Sequence, residues 1–185
     1  MSVTVDGFVA GPNGEMDWFQ KTMTPAGSSW VEKTLSQAGL HIMGSRTFRT
    51  MAGYWPTSSL PLAAPMNEIP KLVFSNTGKL DMSHIKPTSE SALTWTNATV
   101  ANDLVSEIKK LKQQEGNYIL AHGGANFAQS LVKHDLIDEY RLVIHPVILG
   151  KGLPLFNLAD QLNLKLESST SLGGVTVANI YTRLY

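Results

Sequence analysis

The chain has 185 residues, fifteen basic side chains against fifteen acidic ones, and a hydrophobic content of 43%, enough apolar material for one domain with a packed core. Zero net charge leaves no overall field to draw in nucleic acid or an anionic membrane, so any affinity for phosphate has to be local. Cysteine is absent, which excludes disulfides, thiolate metal sites and a cysteine nucleophile, and no segment reaches the roughly 18 uninterrupted apolar residues of a membrane span.

The first residues lack the basic start and apolar run of a signal peptide, and a cytoplasmic protein is expected. Val3, Val5, Phe8 and Val9 read as a short strand entering the loop Ala10 to Trp18, in which Gly11, Pro12, Asn13 and Gly14 are strong turn signals. Trp30, Val31, Thr34, Leu35 and Ala38 recur at helical spacing, and Gly39 stands where that helix should stop. Leu40 to Met43 is the next strand and Arg46 to Met51 the next helix. The proline-rich stretch from Thr57 to Pro70 reads as an irregular surface connection into the strand Lys71 to Ser75.

Residues Asn102 to Gln114 form a surface helix with Leu104, Val105, Ile108 and Leu111 on its apolar face. The strand Asn117 to Ala121 follows, then the turn His122-Gly123-Gly124 and a helix from Asn126 to Lys133. Tyr140 to Leu149 is a long β-branched run, and two closing strands, Asn163 to Ser171 and Val175 to Leu184, meet at Gly173-Gly174 as an antiparallel hairpin. The alternation of strands and helices predicts a single α/β domain over 1–185, built on a mostly parallel mixed sheet with helices on both faces.

Two turns stand out chemically. Gly44-Ser45-Arg46-Thr47 and Gly123-Gly124-Ala125-Asn126 each leave the C-terminal end of a predicted strand and open a helix, which is the edge where open α/β sheets bind ligands. Glycine lets backbone N–H groups approach phosphate oxygens, and the helix N-terminus adds unpaired donors and partial positive charge. Arg46 adds a bidentate fork suited to an extra phosphate such as the 2'-phosphate of NADPH, and Ser75 and Asn76, at the end of the next strand, are well placed to join it. The plainer reading is equally open for either turn alone: ordinary connections, with Arg46 a surface residue.

Taken together these segments resemble a known family. Val5 to Trp18, Met43 to Phe48 with Gly53-Tyr54-Trp55-Pro56, His122 to Ala125, Leu136 to Tyr140 and His145 to Phe156 are similar to the dihydrofolate reductase-like proteins related to the C-terminal reductase domain of the bifunctional riboflavin-biosynthesis deaminase-reductase. The resemblance implies a three-layer dihydrofolate reductase-like fold and NADPH-dependent hydride transfer to a small pterin- or pyrimidine-like compound. The model activity is that of 5-amino-6-(5-phosphoribosylamino)uracil reductase. It further implies that Gly44, Arg46 and Thr47 bind cofactor phosphate, that Ser75 lies near the adenosine ribose, and that Gly123, Gly124 and Ala125 hold the pyrophosphate. The loop ending at Trp18 resembles the one that covers nicotinamide and substrate, and family members commonly form homodimers.

The pattern also departs from the family. The carboxylate that a dihydrofolate reductase uses for protonation would fall near Met23, so Asp17, Trp18, Glu32 and His145 are the remaining catalytic candidates. Glu32 reads equally as an exposed helix charge, and His145 as a core histidine. With no cysteine, a zinc deaminase half is absent, and no metal is expected. Relatives carry several apolar residues before the position of Val3, which points to an internal start. Dihydrofolate reductase activity proper, or a catalytically inactive nucleotide-binding or regulatory protein, are the alternatives.

Overall fold

The computed structural model describes residues 1–157 and 161–184. Among the described residues, ten strands and six α-helices divide between two compact units, one of Met1–Val31 with Ala128–Tyr185, the other Glu32–Phe127.

The second unit carries the parallel part of the fold. Strands β3 (Leu40–Gly44), β4 (Lys71–Phe74), β5 (Thr99–Ala101) and β6 (Ile119–Ala121) lie in the order β5-β4-β3-β6, every pair parallel. Helices α3 (Ser45–Ala52), α4 (Ala63–Glu68) and α5 (Leu104–Leu111) belong to the same unit, and α6 (Ala125–Lys133) begins in it. Because registered neighbours in a parallel ladder point the same way, Gly44 and Phe74 share one face, while the pairs His41–Lys71 and Met43–Val73 share the other. Phe127 covers the first face, stacking on Phe74 with ring centroids 5.6 Å apart and touching the Gly44 position. Trp95 covers the second, with Phe48 tilted against it at 5.5 Å. Both faces are therefore buried, which explains why β4 is buried along its whole length.

The stretch 57–70, expected to be irregular, begins at the end of a 3-10 turn, Trp55–Thr57, and contains the helix α4. Pro65 misled the sequence reading: it falls in the first turn of α4, where a proline removes an N–H that has no helical partner anyway. Helix α4 presents Asn67, whose side chain joins two distant segments by accepting from Trp95 Nε1 at 2.7 Å and donating to the Trp55 carbonyl at 3.0 Å. Asn67→Ala leaves a fully buried indole N–H without an acceptor. The expected loss is about 1–3 kcal/mol, or roughly 3–10 °C in a thermal melt, and Asn67→Asp, which restores the acceptor, should recover part of it.

In the first unit, β1 (Ser2–Thr4) runs parallel to β7 (Glu139–His145), and β7, β10 (Thr176–Arg183) and β9 (Leu164–Leu172) continue antiparallel in the order β1-β7-β10-β9. A separate two-stranded ribbon pairs β2 (Phe8–Ala10) with β8 (Leu153–Pro154). The closing hairpin forms as expected, turning through Gly173 and Gly174 at φ of +71° and +72°, a conformation that residues with a Cβ adopt only with strain. Val143, Leu172 and Ala178 form a core cluster on which Trp30 and Val31 of α2 (Pro25–Ser36) pack. The long run expected to reach Leu149 ends at His145, because Pro146 has no N–H to donate to a ladder.

The motif Val5-Asp6-Gly7 finds its purpose here. The Asp6 carboxylate accepts from Thr4 Oγ1 at 2.6 Å and from the backbone N–H groups of Leu149 and Gly150 at 3.0 and 2.8 Å. It fastens the 149–150 turn to the start of the chain. A Cβ on Gly152 would meet the Ala10 carbonyl at 2.3 Å, so the last glycine of the Gly150-Lys151-Gly152 motif is needed for close backbone passage.

Candidate active site

In the second unit, β3, β4 and β6 are neighbours and parallel, so the segments following Gly44, Phe74 and Ala121 leave one edge of one sheet. That brings together Gly44, Ser45, Arg46 and Thr47, then Ser75 and Asn76, then Gly123, Gly124, Ala125 and Asn126. The two glycine turns are joined directly, since Thr47 Oγ1 donates to the Gly123 carbonyl at 2.7 Å. Gly124 sits at φ +103°, and a Cβ there would lie 2.6 Å from Thr47 Oγ1. Helix α3 opens at Gly44 without a side-chain cap, leaving its first N–H groups to be met by solvent or a ligand. Arg46 is exposed, and its guanidinium has no ion pair or hydrogen bond among the described residues.

Ser75 is more occupied than its sequence position suggests. It is buried, its hydroxyl donates to the Lys79 carbonyl at 2.9 Å and lies 3.1 Å from Thr77 Oγ1, so it shapes a local turn and has only oxygen lone pairs to offer outward. Asn76 is exposed beside it. His122, directly before the second turn, packs edge-on against His41 with centroids 4.6 Å apart. Burial holds its imidazole well below the usual range, so it stays neutral.

Behind the sheet's second face lies a feature with no signature in the sequence. Lys71 is 2% exposed; its ammonium donates to the Ile69 carbonyl and Thr94 Oγ1, each at 2.6 Å, and stands 4.6 Å over the Trp95 ring. Burial lowers its pKa to about 7. Its strand neighbour His41 is fully buried and pushed to about 4, chiefly by burial and then by the charge of Lys71. A cavity of about 690 Å³ touching Lys71 also touches Leu40 and Thr99, the first residues of β3 and β5, so it lies at the sheet edge opposite the glycine turns.

The remaining candidates fall in both units. Glu32 has no side-chain hydrogen bond or ion pair among the described residues, and Ser36 Oγ merely donates to its carbonyl. The other three lie in the first unit. The loop 10–16 is closed on itself: Gly11 N–H donates to the Glu15 carbonyl at 2.9 Å, and the Glu15 carboxylate accepts from the Asn13 backbone and side chain at 2.9 and 2.7 Å. Trp18, read as part of this loop, belongs to a short helix, α1 (Asp17–Thr22); under two turns, it is too brief to show a helical period. Asp17 points to solvent, 76% exposed and 3.9 Å from Lys21.

Helix α1 instead aims Trp18 and Thr22, four residues apart, at β7. His145 Nδ1 lies 2.7 Å from Thr22 Oγ1, and its ring meets Trp18 at 5.1 Å and Phe19 at 5.6 Å. Thr22 was missed in the sequence; its i+4 spacing from Trp18 was the available signal. Burial lowers the His145 pKa. A cavity of about 530 Å³ is lined by Gly11, Pro12, Trp18, Thr22, Leu149 and Lys151, among others. Met23, where the carboxylate of a dihydrofolate reductase was expected, ends this helix as its C-cap.

Among the described residues, no cluster of three or more histidine or acidic side chains suits a metal ion, and no helix is long and apolar enough to cross a membrane.

Comparison with known proteins agrees with this architecture. YyaP of Bacillus subtilis (strain 168), itself uncharacterised, is 31% identical over 182 residues, 98% of this chain and 91% of that protein. The riboflavin biosynthesis protein RibD of Buchnera aphidicola subsp. Baizongia pistaciae (strain Bp) is 31% identical over 98 residues, 49% of this chain and 26% of that one. Among solved structures, a protein from Shewanella sp. PV-4 provisionally assigned to riboflavin biosynthesis superposes with a TM-score of 0.76 at 23% identity, covering 100% of this chain and 97% of the other. RibD of Acinetobacter baumannii gives 0.72 at 18% identity, with this chain spanning 56% of its length. These likenesses establish the RibD-type dihydrofolate reductase-like fold. The model of the RibD C-terminal domain matches residues 1–178, and the chain belongs to that family.

Proposed function

We propose that the protein is an NADPH-dependent reductase, acting as one domain over 1–185, that transfers a hydride to a small pyrimidine- or pterin-like heterocycle. The observation that carries the reading is the pair of glycine turns at one sheet edge, tied by the Thr47–Gly123 hydrogen bond, with Arg46 unpaired beside them. The family supports it, as does the solved relative described as an Acinetobacter baumannii RibD. A cytoplasmic homodimer belongs to the same reading.

The residues present fit such a cofactor. Gly44, Ser45 and Thr47 offer the open N-terminus of α3, Arg46 a guanidinium for an extra phosphate, and Gly123, Gly124, Ala125 and Asn126 a turn that a Cβ at position 124 would fill. Ser75 and Asn76 border the same edge. When bound, the nicotinamide supplies the hydride, and the protein supplies orientation and exclusion of water.

Fluorescence titration with NADPH and NADH tests the proposal. Wild type should prefer NADPH. Arg46→Ala should weaken NADPH by roughly 10- to 100-fold, the worth of a charge-assisted bidentate contact, while changing NADH little. Equal NADPH affinity in wild type and variant would remove Arg46 from the site, and tight NADPH binding without turnover on any pyrimidine or pterin would leave a binding protein.

A further inference from the structure

Asn13 precedes Gly14, and no other asparagine of the chain stands before a glycine. That pairing has a chemistry of its own. A glycine has no Cβ to shield its backbone nitrogen, so this nitrogen can attack the side-chain amide carbon of the preceding asparagine and close a five-membered imide. Both residues are exposed, Gly14 sits at φ +92°, and a Cβ added to it would meet nothing within 4 Å. No neighbouring segment stands over the reacting atoms.

The restraint on that reaction is local, and it comes from Glu15. The Asn13 side-chain N–H donates to Glu15 Oε1 at 2.7 Å, and the Asn13 backbone N–H donates to Oε2 at 2.9 Å. Gly14 N–H donates to the Gly11 carbonyl at 3.0 Å, and Gly11 N–H to the Glu15 carbonyl at 2.9 Å. The amide under attack is therefore held on Glu15 and the attacking nitrogen on Gly11. The carboxylate lies so close that a Cβ on Gly11 would stand 2.4 Å from Oε2. Hydrogen bonds, first from its own backbone and then from Asn13, keep the Glu15 carboxyl below the usual range, so it is ionised at neutral pH.

We propose that Asn13 is a site of spontaneous deamidation restrained by Glu15, and that its conversion to an acid opens the loop 11–15. In the closing step the Gly14 nitrogen loses its proton to water and bonds to Asn13 Cγ; the bond from Cγ to the side-chain nitrogen breaks, and ammonia leaves. Water then adds to one of the two imide carbonyls and gives aspartate or isoaspartate. One water is consumed and one ammonia released, with no oxidant or reductant. Either product has lost the amide N–H and gained a carboxylate beside the ionised Glu15, so the contact that closed the loop becomes a repulsion. Gly11 and Glu15 are part of the wall of the 530 Å³ cavity, so the change reaches that wall. The inference is independent of the reductase reading, because each of its readouts is taken on the protein alone.

The test holds the intact protein in mildly alkaline buffer and follows amide-to-acid conversion by peptide mass mapping over days. Asn13 should convert ahead of every other asparagine. Glu15→Ala should speed its conversion roughly tenfold, the worth of a hydrogen bond to a charged group expressed as a rate. An Asn13 that does not lead, or equal rates in wild type and Glu15→Ala, overturns the proposal. The consequence for the loop is read by hydrogen exchange at the Gly11 and Gly14 amides, whose N–H groups close it. Asn13→Asp reproduces the aspartate product, while Asn13→Gln keeps an amide donor and adds no charge. Exchange should quicken by about tenfold in Asn13→Asp and stay near wild type in Asn13→Gln. Unchanged exchange in Asn13→Asp, or equal acceleration in both variants, overturns the repulsive opening of the loop.

Discussion

Gly124→Ala should weaken NADPH binding by more than tenfold and lower the melting temperature by several degrees. Two effects add. At φ +103° an L-residue is strained by about 1–3 kcal/mol, and the new methyl would sit 2.6 Å from Thr47 Oγ1, well inside van der Waals contact. Thr47 cannot swing away freely, because its hydroxyl is bonded to the Gly123 carbonyl and its branched side chain has few rotamers in the first turn of α3. Either the turn or the helix start has to move, and both belong to the proposed phosphate site. Thr47→Ala separates the two effects: in that background Gly124→Ala keeps its backbone strain but loses its clash. Fluorescence titration and thermal melts on the four proteins read this directly, and unaltered NADPH affinity in Gly124→Ala would show that the second turn does not carry the cofactor.

The second large effect is a rise in stability with pH, set by Lys71. Its folded pKa is about 7, against about 10.4 in an open chain. Between these values the unfolded chain holds one more proton than the folded one, so stability climbs as pH rises from about 7 toward 10, by a total on the order of 4 kcal/mol. Below pH 7 both states are protonated and the full penalty of burying the charge applies. Lys71→Met keeps the length and the apolar contact with Trp95 while removing the titration. Urea denaturation at pH 7 and pH 9.5 should find the variant as stable as wild type or more so at pH 7, with the rise to pH 9.5 lost.

His41 supplies a separate acid limb. Its folded pKa of about 4 lies below the ordinary histidine value of 6.5, so stability falls as pH drops from about 6.5 to 4, by an amount on the order of 3 kcal/mol. That limb should persist in Lys71→Met but become smaller, since the neighbouring positive charge is gone. A pH-flat wild type from 7 to 9.5 would contradict the buried, counter-ion-free lysine on which the expectation rests.

These cases show why parts of the molecule were legible in the sequence and others were not. The strands and helices of ordinary length, and both glycine turns, carry local signals: apolar period, glycine and a nearby Arg46. Helix α1 and helix α4 are too short for a period, and β5 is three residues long, so each owes its existence to what covers it. The Asp6 motif was visible, but its partner, the 149–150 turn, lies more than 140 residues away. Among the catalytic candidates, Asp17 lies exposed beside Lys21, while His145, read as a core histidine or an acid, is bonded to Thr22.

The sequence by itself determined the class of fold, the family and the location of the two glycine turns, because each depends on residue type and short-range spacing. Only the tertiary structure decided that the turns are joined through Thr47, that Lys71 is buried over Trp95 without a carboxylate, and that His145 is buried against Trp18 and Thr22 of α1. The physical reason is common to all three: hydrogen-bond satisfaction and desolvation are properties of an environment assembled from distant segments, and no window of neighbouring residues contains that environment.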